Sequence, residues 1–290
     1  MEGATLLEKT KWWWNRSKTL KEWAMKAVQN NLHACMQIHG ESYIQNKLSP
    51  QLRDDVLQEL QRSKRPEKNK TEAEFISMKQ SMLVFMSTMT KKLDLDFLMS
   101  FCPKNSNNMK IFIEVLKMVS IAAPNVRHLK INSYHIRICL DSIEFRNACL
   151  EFLSSMNELR ILEFVDNSCS EIDLALLCRE LPNLRILSAP FTPLEDANMS
   201  EEDIRVSFGH LRLLCMPILS WEKLNKIFMV LPNLDVIQNI LPNGLTLEDF
   251  LEDENLPRQR KYLNYEADFS SIRYLEAFYH FSHLCISIFI

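Results

Sequence analysis

Glycine is scarce in this chain: four residues among 290, at positions 3, 40, 209 and 244. No two lie close together, so neither common type of glycine-rich phosphate cradle can be built, and most nucleotide-binding folds are excluded. There are eight cysteines but no Cys-x-x-Cys pair. Most sit inside apolar strings such as NACLEFL and LALLCREL, which reads as buried free thiols in a reducing compartment. No uncharged apolar run of about 18 residues occurs before the C-terminus, so no membrane-spanning helix is expected. MEGATLLEKTKWWWNRSK has no continuous apolar stretch and does not read as a signal peptide. A cytoplasmic or nuclear location follows as the expectation. The sequons at Asn15, Asn69 and Asn198 then read as chance matches.

No catalytic signature stands out either. There is no Ser/His/Asp order, nucleophile elbow or paired-carboxylate motif. His280, His283 and Cys285 form the one metal-like cluster, and they lack a fourth ligand. His33, Cys35 and His39 do not share a helical face. The expectation is no enzyme, no cofactor and no metal.

What is present is ordinary globular composition, 47% apolar and 24% charged. The net charge of −3 is unevenly placed. Residues 1–70 carry 13 lysines and arginines against 8 acids, and residues 71–290 carry 21 against 29. That asymmetry suggests two functional halves and argues against a nucleic-acid binder, which would concentrate one basic face.

A repeat dominates the middle of the chain. TKKLDLDFL (90–98), VRHLKINSY (126–134), LRILEFVDN (159–167), LRILSAPFT (184–192), LRLLCMPIL (211–219) and LDVIQNILP (234–242) fit an apolar-x-x-apolar-x-apolar template, with Thr90, Ala189 and Asn239 as weak members. The key residues are Leu93, Leu129, Leu162, Leu187, Leu214 and Ile237, at intervals of 36, 33, 25, 27 and 23. Helical periodicity precedes most of these strings: 107–124, 142–156, 171–181 and 220–231, the last with Ser220 placed as an N-cap. The first is apolar on nearly all sides and is expected to be deeply buried. Three of these helices run into Ala-Pro-Asn or Leu-Pro-Asn, where proline stops the helix and the next aliphatic opens a strand.

These strings, LRILEFVDN above all, resemble the strand signature of the leucine-rich-repeat superfamily in its helix-containing form. The resemblance covers roughly residues 85–240, and the later intervals fall in the 20–29 range of such repeats. It implies an α/β solenoid with parallel strands on a concave face and helices on a convex one, preceded by a small N-terminal helical region. An irregular α/β domain and an all-helical solenoid are the competing folds. The organisation expected is a helical region over 1–62, a basic linker over 63–70 and the repeat array over 71–290. Residues 245–269 read as an insertion or irregular helix–loop. The repeat resumes near Leu284 and stops mid-unit, as a truncated gene model would.

Two features bear on function. On the expected concave face, the residues alternating with the core are Asp94, Asp96, Lys130, Asn132, Glu163, Val165, Ser188, Pro190, Cys215, Pro217, Gln238 and Ile240. They run from charged to small and apolar, which suits a protein partner better than a polyanion. At the other end, TLKEWAMKAV (19–28) places Thr19, Leu20, Ala24 and Val28 as in the box (T/S)-L-x-x-x-(C/S/A)-x-x-x-(aliphatic). A helical pair ahead of a repeat array resembles the elongin C-binding substrate receptors of cullin–RING ubiquitin ligases. The resemblance implies elongin C and a cullin as partners, with Leu20 entering a pocket on elongin C. Ala24 stands where the family usually has Cys, and Ser49 before Pro50 departs from its cullin-selecting motif. LSPQLRDDVLQEL also invites an F-box reading, without the tryptophan-containing tail downstream. The remaining alternative is that both N-terminal helices only cap the first repeat. Trp12, Trp13 and Trp14 cannot all face one side of a helix, so interface use and packing on the cap both stay open.

Overall fold

The computed structural model describes residues 27, 31, 34, 38, 40–62, 71–103, 107–165, 169–189, 199–215, 227–234, 236–238 and 261–263. The chain is an α/β protein that divides into two compact units, Met1–Leu159 and Arg160–Ile290.

In unit 1, α1 (Glu41–Lys47), α2 (Pro50–Gln61) and α3 (Glu72–Phe85) precede β1 (Lys92–Asp94) and the short α4 (Leu95–Met99). Then come α5 (Asn108–Ala122), β2 (His128–Ile131), α6 (Ser133–Asp141) and α7 (Ile143–Ser154). β1 and β2 are parallel, with Leu93 opposite Leu129. Local chemistry sets the helix starts. Ser49 accepts from the Leu52 amide at 3.3 Å and Pro50 occupies the first turn, where its missing N–H costs nothing. Thr71 and Glu74 form a reciprocal capping box at the head of α3.

α2 does more than fill space. Its Val56, Leu57 and Leu60 are buried, and it packs on α3 and β1. Gln58 Nε2 donates to the Lys92 carbonyl at 2.8 Å, and Gln61 Oε1 accepts from the Asp94 amide. β1 pairs with β2 on one side. Along its other side, two glutamine side chains take the place of a neighbouring strand's backbone. That is one way a free sheet edge is closed.

Unit 2 holds β3 (Ile161–Phe164), α8 (Glu171–Glu180), β4 (Ile186–Ser188), α9 (Glu201–Phe208), β5 (Leu213–Cys215), β6 (Val236–Gln238) and β7 (Lys261–Leu263). Residues 227–230 add a helical turn. The five strands are parallel and ordered as in the sequence. Leu162, Leu187, Leu214 and Ile237 lie in one register row, and Tyr262 extends it. Leu93 and Leu129 in unit 1, and Leu162, Leu187 and Leu214 in unit 2, are fully buried.

The joint from helix to strand is built the same way each time. A tight turn closes it: Val126 N to Ala123 O and Leu159 N to Met156 O in unit 1, and Leu184 N to Leu181 O, Leu211 N to Phe208 O and Leu234 N to Leu231 O in unit 2. At three of these joints the next two amides then share the carbonyl of the residue just before the preceding strand. Arg127 and His128 donate to Lys91 O in unit 1, and in unit 2 Arg185 and Ile186 donate to Arg160 O, and Arg212 and Leu213 to Arg185 O. The turn asparagines tie neighbouring joints together: Asn125 Nδ2 reaches Thr88 O and Asn233 Nδ2 reaches Gly209 O, at 2.9 and 2.8 Å.

Several details depart from the sequence reading. α5 is not buried all round: Phe112, Val115, Leu116 and Val119 face inward while Ile121 is 72% exposed. A helix, α6, follows β2 directly because Asn132 caps it by accepting from the Tyr134 amide at 3.0 Å. Lys261–Leu263 form a strand inside the segment read as an irregular insertion. Six cysteines, at 102, 139, 149, 169, 178 and 215, are free and buried as expected. Among the described residues no helix is long and apolar enough to cross a membrane.

Candidate partner-binding surface

The residues expected on the concave face divide between the two units. In unit 1, Asp94 and Lys130 lie on β1 and β2, directly opposite each other and half-buried. Asp94 also caps α4, accepting from the Phe97 amide at 2.8 Å. That cap ends the strand, so Asp96 falls inside α4 and is buried. Asn132 sits beyond the end of β2 as the cap of α6, and its Nδ2 reaches the Asp96 carboxylate at 3.3 Å. Strand alternation therefore fails for Asp96 and Asn132. Short polar side chains at strand ends prefer to cap the helix that follows.

In unit 2 one register row runs Glu163, Ser188, Cys215, Gln238 and Leu263. Glu163 and Val165 are half-buried, but Ser188 and Cys215 are buried, at 3% and 1% exposure. Ile161, Ile186 and Leu213, two positions earlier, are buried too. At β4 and β5 all three strand residues are shielded, so in unit 2 the expected concave-face residues described as part-open are Glu163 and Val165. Ser188 hydrogen-bonds the Cys215 thiol, yet burial dominates and pushes that thiol up to about 11. Burial alone raises the Cys178 thiol further. Neither behaves as a nucleophile at neutral pH. In unit 1, a hydrogen bond from Cys149 lowers the Cys139 thiol, while burial works against it.

The other predicted positions, Thr19, Leu20, Ala24, Val28, Pro190, Pro217 and Ile240, lie outside the described residues, and Gln238 is described in its backbone alone. The same holds for Trp12 to Trp14, Ser220, the linker over 63–70, the histidine–cysteine groups at both ends and the stretch from 264 onward. Sequence reasoning missed one feature. The strings LRIL, LRIL and LRLL carry Arg160, Arg185 and Arg212 at the same place in three successive repeats, and the register brings them side by side.

No protein-family model, curated protein or solved structure matches this chain.

Proposed function

We propose that the chain is a leucine-rich-repeat recognition module that binds a protein and catalyses no reaction. The observation that carries this reading is the recurring joint: a helix, a tight turn, and two amides on one carbonyl, with a leucine or isoleucine in register after each. Repeats of that kind build extended surfaces suited to protein partners. The solenoid arrangement belongs to this proposal.

Within that class the favoured role is the substrate-recognition subunit of an elongin–cullin ubiquitin ligase. Thr19, Leu20, Ala24 and Val28 support it by their spacing. The alternative is an interaction scaffold with no ligase role, and α2 lends it weight. The apolar face of α2 is already spent inside unit 1, which favours a cap over an F-box for that helix. The test is co-purification from cells. The receptor reading expects elongins B and C to come down with the full chain and to be lost on Leu20→Ala, with the circular dichroism melt unchanged. Capture of other proteins without elongins would leave the scaffold.

A further inference from the structure

Three arginines stand in a ladder in unit 2. Arg160, Arg185 and Arg212 occupy the residue before β3, β4 and β5, and each passes its carbonyl or amide to the next. Neighbouring strands lie about 4.8 Å apart, so the ladder spans roughly 10 Å. All three side chains are half-buried. Like charges placed opposite one another on adjacent strands repel. Burial first, then the nearby Arg160 and Arg212, hold the Arg185 guanidinium below its ordinary value. His210 beside it is lowered by burial and by Arg185, so the charge of the group is carried by arginine.

Arg185 is fixed in place. Its Nη1 donates to the carbonyls of Pro182, Leu184 and His210 at 3.0, 2.9 and 3.4 Å. Among the described residues its Nε and Nη2 make no hydrogen bond. That edge is the planar fork which takes a carboxylate with two parallel bonds.

We propose that the Arg160–Arg185–Arg212 ladder docks an extended, acidic segment of a protein partner, with one carboxylate in the Arg185 fork and the next acid on the same face, two residues along, beside a flanking arginine. Acids at alternate positions of an extended segment share a face at about 6.6 Å spacing, within the length of the ladder. Charge complementarity selects this occupant. The ladder is too short for a long polyanion, and residues 160–290 carry 20 acids against 11 lysines and arginines. That background repels nucleic acid while leaving a short local contact favourable. The proposal rests on the protein-binding reading for the class of its partner.

The test is fluorescence anisotropy of a labelled oligoglutamate peptide with the full chain, beside an oligolysine peptide and a single-stranded oligonucleotide of equal charge. The expected result is glutamate-peptide binding that weakens with salt and falls about tenfold or more in R160Q/R185Q/R212Q. If that triple variant does not fold, R160E/R212E keeps Arg185 on its carbonyls and should shift preference toward the lysine peptide. Absence of glutamate binding, equal binding by the glutamine variant, or tighter binding of the oligonucleotide overturns the proposal. The readout involves no elongin and no captured partner, so its failure leaves the recognition-module reading standing, and failed protein capture leaves the peptide result intact.

Discussion

Replacing Leu187 by alanine probes the central claim about the fold. Leu187 is fully buried on β4, between Leu162 and Leu214 in the register row. The change deletes three carbons. At about 0.8 kcal/mol per buried methylene the transfer loss is roughly 2.4 kcal/mol. A strand paired on both sides collapses poorly into a void, so a cavity contribution adds to this and the total should fall within about 2–5 kcal/mol. With a urea slope of about 1–3 kcal/mol per molar, a loss near 3 kcal/mol moves the midpoint down by roughly 1–3 M. The assay is urea unfolding followed by far-UV circular dichroism. The control is Ile172→Ala, at a site 66% exposed on α8, where the change should stay within about 0.5 kcal/mol. Equal, small shifts from both variants would refute the buried row and the repeat built on it.

Acid sensitivity and thiol chemistry give two further tests. Hydrogen bonds from the Thr71 amide and hydroxyl hold the Glu74 carboxyl below its ordinary 4.5, and Ser200 lowers Asp203 in the same manner. A depressed carboxyl stabilises the fold above its unfolded pKa, and that contribution is lost as pH falls through the lower folded value. Thr71→Ala should therefore lower the thermal midpoint at neutral pH and flatten its fall on the acid side; an unchanged acid limb in a pH series of melts argues against the capping box as the cause. Cys178 and Cys215 should resist iodoacetamide at about pH 8 in the native protein and label on unfolding, read by mass spectrometry, and labelling of either without denaturant at the rate of a free thiol contradicts their burial.

The register of the leucines was legible in the sequence because a similar string recurs, at three joints directly after Pro-Asn. Proline after the helix and an aliphatic two residues on leave little choice of where a strand begins. Legibility failed where polar residues had two roles open to them. Asp94 and Asn132 sit at strand ends and serve as helix caps, which moves Asp96 into a helix and places α6 where strand was expected. It failed again at Lys261–Leu263, where no leucine string marks the strand and pairing with β6 supplies the reason for it. The arginine ladder was present in the letters. Its meaning depends on register, which joins residues 25 and 27 positions apart.

The burial of both faces of β4 has a consequence for how the chain finds its alignment. Alternating strands police themselves, since a slip of one residue turns an apolar face to water. Ile186, Leu187 and Ser188 are all shielded, so sliding β4 by one residue would exchange one aliphatic for another at little hydrophobic cost. The decision falls instead to what flanks the strand. Arg185 would be dragged into the interior by such a slip, and the turn through Pro182 and Asn183 would lose its closing bond from Leu184 to Leu181. Misalignment of this region should therefore begin with damage to its corners, long before anything in its centre is touched.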